Sequence, residues 1–234
     1  MHYLSRHAGK PIAAEYIFNQ NTSPMRKTAL FIALLATTAT TLTAQLAIGP
    51  RAGAHFARAS FDPKDGRSVS DKVGLVAGAV LEIGLGDNLA LQPEASYVQR
   101  GYQTEQTLLG ITTETELAMN YLDFGGLLKL RSGNDEGINF YLAGGAFYSI
   151  AMDGELTNRA GPVETVVEIK FDDDYDRSDI NLSAGGGFTF GSGAISLFVD
   201  GRYLFGLKDI EQRDKDFTIN NRGVSVSAGL MFQL

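Results

Sequence analysis

The sequence of 234 residues contains no cysteine and no tryptophan. The lack of cysteine excludes disulfides, thiolate metal sites and cysteine nucleophiles, and also a lipid anchor on a cysteine behind a signal sequence. Without tryptophan, an aromatic belt at a membrane surface would have to consist of tyrosine and phenylalanine. Long hydrophobic runs are missing too, because no segment after residue 45 approaches the roughly 18 apolar residues of a membrane helix.

Positive charge is also scarce. The whole chain carries 20 basic and 27 acidic side chains, a formal net charge of −7. Removing residues 1–44, with four basic residues and one acidic residue, leaves 16 basic and 26 acidic side chains and a net charge of −10. Nucleic-acid binding needs clustered lysine and arginine, so we expect no nucleic-acid partner.

The N-terminal region predicts an export signal. Arg26 and Lys27 precede a short apolar core that could not cross a membrane as a helix. We predict a signal peptide at residues 25–44 and a mature chain that begins at Gln45. Residues 1–24 are interpreted as an upstream extension that is not part of the fold, the alternative being a genuine cytoplasmic or disordered leader.

The end of the chain has the pattern of a two-faced strand. Every even-numbered residue from Val224 to Leu234 is apolar, whereas the odd-numbered residues are small or polar except for Met231. Side chains of a strand point alternately to opposite faces, so one face of this ribbon is apolar and the other is polar. Together with seven similar segments upstream, it predicts eight strands, at residues 46–57, 72–84, 89–102, 117–130, 138–152, 178–190, 195–207 and 222–234.

The connections between these strands alternate in predicted length. Short connections at 85–88, 131–137 and 191–194 are rich in turn-forming residues. The polar stretches between the other strands predict long loops, at 58–71, 103–116, 153–177 and 208–221. Short periplasmic turns and long external loops are typical of membrane barrels. The strands also exceed the usual globular length of about 5–6 residues, which disfavours the alternative of a soluble lipocalin-like barrel.

We therefore predict a single all-β domain over residues 45–234. Its fold class is an eight-stranded antiparallel up-and-down transmembrane β-barrel, and its location is the bacterial outer membrane. Aromatic residues fall near both ends of the predicted strands, as expected of interfacial belts. The predicted belt residues are Tyr97, Tyr102, Tyr121, Tyr148, Tyr203 and Phe205 at the external side and Phe140, Phe188, Phe190 and Phe232 at the periplasmic side.

Three segments resemble a known family. They are Gly-x-Arg-Ala-Gly at 49–53, Leu-Gln-Pro-Glu-Ala-Ser-Tyr at 91–97 with the following Gly101-Tyr102, and Tyr-Leu-Asp-Phe-Gly-Gly-Leu-Leu-Lys-Leu at 121–130. These segments are similar to the PorT-like outer-membrane β-barrel family of Bacteroidetes, and the resemblance covers about residues 46–234. It implies an OmpA-type eight-stranded architecture. Most members have no assigned activity, while the namesake takes part in a secretion system.

Alternation also directs a balanced set of charges into the barrel. An eight-stranded barrel is just wide enough for side chains to fill it, and unpaired buried charges are costly, so we expect these charges to pair and plug the lumen. We expect Arg51 to pair with Glu82, and Glu94 with Lys129. The alternative is an ion path or a small polar binding site. The predicted interior charges are Arg51, Glu82, Glu94, Arg100, Asp123, Lys129, Asp200 and Arg202.

Evidence for catalysis or metal binding is weak. A hydrolase would pair His55, the one histidine after residue 45, with a serine such as Ser96 or Ser149. Alternation directs His55 inward, away from lipid, so we predict no catalytic residue. The acidic run 172–179 lacks the spaced carboxylates of a calcium loop and is interpreted as a solvated external loop, so no metal or cofactor is predicted.

The predicted function is a structural or interaction role through the external loops, without enzymatic activity. The alternatives are a membrane subunit of a secretion or uptake system and a lipid-active outer-membrane enzyme. Phe232 and Leu234 are predicted to form the C-terminal signal that the barrel assembly machinery recognises. The expected partners are this machinery, outer-membrane lipid and a protein bound by the external loops.

Overall fold

A computed structural model describes residues 45–62, 68–108, 110–132, 137–171, 175–191, 193–211 and 218–234. The predicted extension and signal peptide, residues 1–44, lie outside the described residues. No helix within the described ranges has the length and apolar character needed to span a membrane. The described chain consists of ten strands: β1 Leu46–Asp62, β2 Ser68–Ser70, β3 Lys72–Gly84, β4 Leu89–Leu108, β5 Ile111–Ser132, β6 Ile138–Ala160, β7 Val163–Glu168, β8 Ser178–Phe190, β9 Ile195–Gly206 and β10 Thr218–Gln233.

Eight of these strands form a closed antiparallel ring. Around the ring the order is β1, β3, β4, β5, β6, β8, β9 and β10, and β10 pairs with β1 again, for example Ala52 with Ala228. Strands β2 and β7 lie outside the ring order, with β2 paired to β4 and β7 paired to β6. The predicted eight-stranded antiparallel up-and-down barrel is confirmed.

The two ends of the barrel differ. Ala47 pairs with Gln233, so the described chain enters and leaves the barrel at one end, where three short turns also lie. The remaining connections lie at the opposite end. Following the general rule for membrane barrels, we name the first the periplasmic end and the second the external end.

The outer surface of the ring is apolar. Large aliphatic and aromatic side chains stay exposed on every one of its strands, because alternation turns them away from the interior. Such a continuous apolar exterior suits a lipid environment and not water. One outward residue from each strand of the ring is, in chain order, Phe56, Leu75, Leu91, Leu128, Leu142, Leu182, Val199 and Val226.

Strands at the external end are longer than the sequence pattern predicts. The predicted loop 103–116 is almost entirely strand, since Gln103 pairs with Glu116 and Leu108 pairs with Ile111. The predicted loop 153–177 likewise contains the end of β6 and all of β7. These loop predictions were wrong because strands were recognised by alternating apolar residues. A strand that water surrounds has no apolar face and does not show this alternation. Threonine-rich polar segments such as 112–115 have good strand propensity without it.

An apolar cluster lies inside the external end of the barrel. Tyr102 and Tyr121 are buried in it, so their assignment to an outer aromatic belt is wrong. The alternation that turns Asp123 inward also turns Tyr121 inward, two residues before it. Segments after β7 and β9 contribute Tyr175 and Ile210. The apical cluster consists of Ala59, Phe61, Tyr102, Leu117, Met119, Tyr121, Ala151, Tyr175, Ile210 and Ile219.

Candidate functional site in the barrel interior

All eight predicted interior charges have side chains on the inner side of the ring. Seven of them are buried, and the side chain of Glu82, near the periplasmic mouth, is 14% exposed. This inward direction agrees with strand alternation, since flanking residues point to the opposite face, as the exposed Leu128 and Leu130 do around Lys129. The buried residues of this set are Arg51, Glu94, Arg100, Asp123, Lys129, Asp200 and Arg202.

Glu94 and Asp200 form the centre of the interior network. Nη1 of Arg51 donates to Glu94 at 2.7 Å, and Nη1 of Arg202 donates to both Glu94 oxygens at 2.8 Å. Arg202 also donates from Nη2 to Asp200 at 2.5 Å, while Arg51 Nη2 lies 3.8 Å from the other Asp200 oxygen. The hydroxyl of Ser227 donates to Asp200 at 2.6 Å. Two acids and two bases from the three strands β1, β4 and β9 thus neutralise one another across the lumen.

Two of the expected ion pairs are exchanged. Arg51 contacts Glu94 and not Glu82, while Lys129 Nζ donates to Glu82 at 2.5 Å and does not contact Glu94. The residue opposite Arg51 on β3 is Gly78, which has no side chain. The side chain of Arg51 can therefore extend across β3 to Glu94 on β4. Reasoning from pairs of neighbouring strands does not predict such a contact.

A second polar cluster lies between the central network and the apical cluster. Arg100 donates to Asp123 and has its Nη1 4.0 Å from Asp179. Asn221 donates to Asp179 at 2.8 Å. Asp179 belongs to the acidic run that we interpreted as solvated, and for this residue the interpretation is wrong. The sequence pattern indicates the burial of Asp179, because Ile180 points outward at the start of β8 and alternation then turns Asp179 inward. Asp172, Asp173 and Asp174 lie outside the described residues.

His55 lies at the same level of the barrel, and its hydrogen-bond partner is neither Ser96 nor Ser149. Its ring is fully buried, and Nδ1 lies 2.8 Å from the hydroxyl of Ser225 on β10. Ser149 instead accepts a hydrogen bond from Asn181 at 2.8 Å. Neither arrangement reaches the lipid-facing surface, where a lipid substrate would lie.

The periplasmic end contains a cavity of about 490 Å³. Glu82 is shared by Lys129 and by Arg131, whose Nη1 donates to it at 3.2 Å. The ammonium of Lys129 also lies 3.9 Å from the centre of the Tyr141 ring. Apolar side chains, including Phe198, form part of the wall, so both charged and apolar groups line this mouth.

The predicted C-terminal signal lies at the edge of this end. Phe232 is 38% exposed on the outer face, opposite Ile48 on β1 and Ile195 on β9. Leu234 is 77% exposed, and its backbone N–H donates to the carbonyl of Leu46 at 2.8 Å. Both residues are thus on the lipid side of the seam between the first and last strands. Their recognition by the assembly machinery stays a prediction.

One ion pair fastens the external segments to each other. Lys208 Nζ, after β9, lies 2.7 Å from Asp176, which precedes β8. Burial by itself would raise the pKa of Asp176, but hydrogen bonds from Lys208 and Ser178 and the Lys208 charge outweigh it and hold this pKa below its ordinary value. The pair brings Ile210 and Tyr175, both members of the apical cluster, to the same side of the barrel mouth.

Known proteins similar to this chain are outer-membrane proteins, and the family is shown by a family model. Residues 18–212 match the family model described as outer membrane protein beta-barrel domain. Among solved structures, Neisserial surface protein A is 16% identical with a TM-score of 0.45, covering 80% of this chain and 99% of that one. The Ail attachment invasion locus protein of Yersinia pestis has 14% identity, a TM-score of 0.37 and the same two coverages. The protease OmpT of Escherichia coli has 12% identity and a TM-score of 0.39, covering 83% and 99%. No curated protein sequence matches significantly.

Proposed function

The chain belongs to the outer membrane protein beta-barrel domain family and is located in the bacterial outer membrane, and from this premise we propose that it is a closed barrel that acts through its external segments. Its role is that of a structural or interaction module, without transport through the lumen and without enzymatic activity. Outer-membrane lipid surrounds it, and the barrel assembly machinery inserts it.

The observation that carries this proposal is the occupation of the interior from the inner end of the periplasmic cavity to the external end. From the periplasmic end to the external end there follow the Glu82 ion pairs, the network around Glu94, the cluster around Arg100 and the apical cluster. Eight-stranded barrels have interiors that side chains can fill. An ion entering this interior would have to separate several buried pairs, each costly to break.

The external end supports an interaction role. Strands β4, β5 and β6 continue beyond the apolar exterior as a polar sheet, which β7 extends. Strand pairing holds this sheet in place, as the paired residues Thr115 and Asn158 also share a side-chain hydrogen bond of 2.8 Å. A projecting, ordered, polar sheet is a suitable platform for a protein partner.

The absence of catalysis is supported by the surroundings of His55. The ring is buried and bonded to Ser225, and the wall of the barrel separates it from lipid. A nucleophile and base need access to a substrate, which this position does not offer.

We further infer kinship with the PorT-like family from the segments 49–53, 91–97 and 121–130. Two of these segments carry Arg51 and Glu94, which contact each other in the lumen. The resemblance keeps a second candidate role open, that of a membrane subunit in a secretion system. Such a subunit would also act through its external or periplasmic surfaces if the lumen is closed.

The test is a variant that loses the β4–β5 part of the external sheet and keeps the barrel. A shortened β4–β5 hairpin, lacking residues 105–112, should fold and remain heat-modifiable on gels. In cells, surface cross-linking should then lose the partner bands that the wild-type protein gives. As a control, replacement of Asp87 in a periplasmic turn by Asn should leave these bands in place. Unchanged bands in the shortened variant would contradict a role for the β4–β5 part of the external sheet.

A further inference from the structure

Strand β7 is the most exposed strand that the structure describes. All six of its residues are exposed, and Val163, Val166 and Val167 are 62%, 52% and 51% exposed. In the described part of the chain it pairs with β6 and with no other strand. Natural edge strands are usually protected by charged side chains, above all lysine, or by proline or a bulge. β7 has no lysine, proline or bulge, and its two charged residues, Glu164 and Glu168, would repel acidic strands but not basic ones. Its second edge is therefore a template for another strand.

The direction of the hydrogen-bonding groups along β7 can be derived. Ile169, next after β7, donates its N–H to the carbonyl of Gly154 on β6 at 2.9 Å. In an antiparallel pair, residues alternate between bonding the partner strand and pointing away from it. It follows that Glu164, Val166 and Glu168 direct their N–H and C=O groups to the free edge.

The outer face of the same sheet is acidic. One row across four strands runs Glu105, Glu114, Arg159, Glu164, because each is the register partner of the next. Arg159 donates to Glu164 at 2.9 Å and lies 3.7 Å from Glu116 in the adjacent row. The three rows from Glu105 to Glu168 contain one arginine and six glutamates, and Lys72 of β3 forms an ion pair with one of them, Glu116. The six are Glu105, Glu114, Glu116, Glu155, Glu164 and Glu168.

Two pairs of glutamates stand directly opposite each other in this sheet. Glu105 is the register partner of Glu114, and Glu155 is the register partner of Glu168. Like charges in directly opposed positions destabilise a sheet. A positively charged ligand would relieve this repulsion, so the face is arranged to gain from a basic partner.

We propose that the free edge of β7 binds an extended, lysine- or arginine-bearing segment of another protein by strand addition. Backbone groups of Glu164, Val166 and Glu168 form the new ladder, and the acidic rows select positive side chains. A second copy of this chain is disfavoured as the occupant, because pairing two β7 edges would bring their glutamates together. The inference rests on the proposed interaction role and names the chemistry of the partner.

The experiment uses the mature chain folded in lipid nanodiscs and a fluorescent octapeptide that alternates lysine with valine. Fluorescence anisotropy should show saturable binding that weakens as salt is added, because exposed charges are screened. An octapeptide with glutamate in place of lysine should not bind. Equal binding of the two peptides would overturn the charge selection.

Strand addition is separated from simple charge attraction by backbone changes. Val166→Pro removes an N–H that points to the free edge and should weaken binding by roughly three- to tenfold, the effect of about one hydrogen bond. Val166→Ala keeps that N–H and is the matched control. To guard against local unfolding of the proline variant, the wild-type protein is also tested with an octapeptide N-methylated at alternate residues, which should bind weakly. Equal binding by the proline and alanine variants, or by the N-methylated peptide, would contradict strand addition.

Two further outcomes would overturn the proposal. If the wild-type protein forms dimers that Val166→Pro abolishes, the occupant of the edge is a second copy. If the lysine peptide does not bind the wild-type protein, β7 is not a docking edge for basic strands. The latter result leaves the proposed interaction role intact, because loss of cross-linked partners in the shortened hairpin variant is measured independently.

Discussion

At the scale of single residues, Glu94 is where the interior ion pairs converge. Its carboxylate accepts hydrogen bonds from Arg51 and Arg202 on two other strands and from Gln92 on its own strand. Alternation along the strands is enough to predict that these charges point inward. It does not predict which ones meet, because long side chains cross the lumen and pass over positions such as Gly78.

Replacing Glu94 by glutamine should strongly destabilise the barrel. The change leaves two buried guanidinium groups without their shared carboxylate, which typically costs about 3–5 kcal/mol. Since the chain has no tryptophan, unfolding by urea from lipid vesicles is followed by far-UV circular dichroism. Glu105→Gln, at an exposed position, is the control and should change the free energy of unfolding by no more than about 0.5 kcal/mol. Equal stability of the two variants would show that the central network is not needed.

The Asp176–Lys208 pair predicts a local pH dependence. Folding lowers the pKa of Asp176, so its contribution to stability is present above the ordinary aspartate value near 3.8 and is lost as pH falls through the lower folded pKa. The Ser178 amide donates to Asp176 at 3.0 Å and reports this titration in NMR spectra. We expect its midpoint below 3.8 in the wild-type protein and no such titration in Asp176→Asn. A midpoint above the ordinary value would contradict the hydrogen-bonded arrangement.

At the scale of strands, the described ring reproduces the eight predicted strands and extends several of them. The segments whose outward residues face lipid, such as β9 and the last part of β10, have clear alternation and were predicted nearly in full. The polar ends of β4, β5 and β6 lacked that signal. There the chain leaves the apolar environment, and cross-strand pairing alone holds the strands, as between Thr107 and Thr112.

The last strand carries the next prediction. Phe232→Asp places a charge on the lipid side of β10 and should block insertion, at a cost of up to about 2–4 kcal/mol at mid-depth and less near the interface. The readout is the loss of heat-modifiable migration and of membrane-extracted protein. Gln233→Asp adds the same charge one residue later, on the opposite face of β10, and should insert. Normal migration of the Phe232 variant would count against the proposed assembly signal.

The N-terminal processing site is a prediction for the same end of the barrel. If the signal peptide ends at Ala44, the mature protein begins at Gln45, whose carbonyl accepts the Gly84 N–H at 2.9 Å. The exported chain would then start where β1 starts, with little chain left over at the periplasmic mouth. N-terminal sequencing of the membrane-extracted protein checks this, and retention of residues 1–24 would refute it.

At the scale of the whole molecule, two kinds of filling occupy the barrel. Paired charges occupy its middle, and apolar side chains dominate its external mouth, where Tyr175 and Ile210 come from segments outside the ring strands. Alternation could indicate the strand members of the second kind, such as Tyr121, but not Tyr175 and Ile210, because contacts between loops and barrel depend on how distant segments meet. The external sheet is a third feature, and under the proposed function it is the surface through which the barrel acts.

The most direct test of a closed lumen is the conductance of the purified, folded protein in planar lipid bilayers. The barrel should give no discrete single-channel events, because ion pairs and the apical cluster occupy the path. A variant that removes both central acids, Glu94→Ala with Asp200→Ala, serves as the comparison, provided that heat-modifiable migration shows it to be folded. Reproducible single-channel conductance from the wild-type protein, with ion selectivity that shifts on substitution of Arg51 or Arg202, would contradict the closed barrel and favour an ion path.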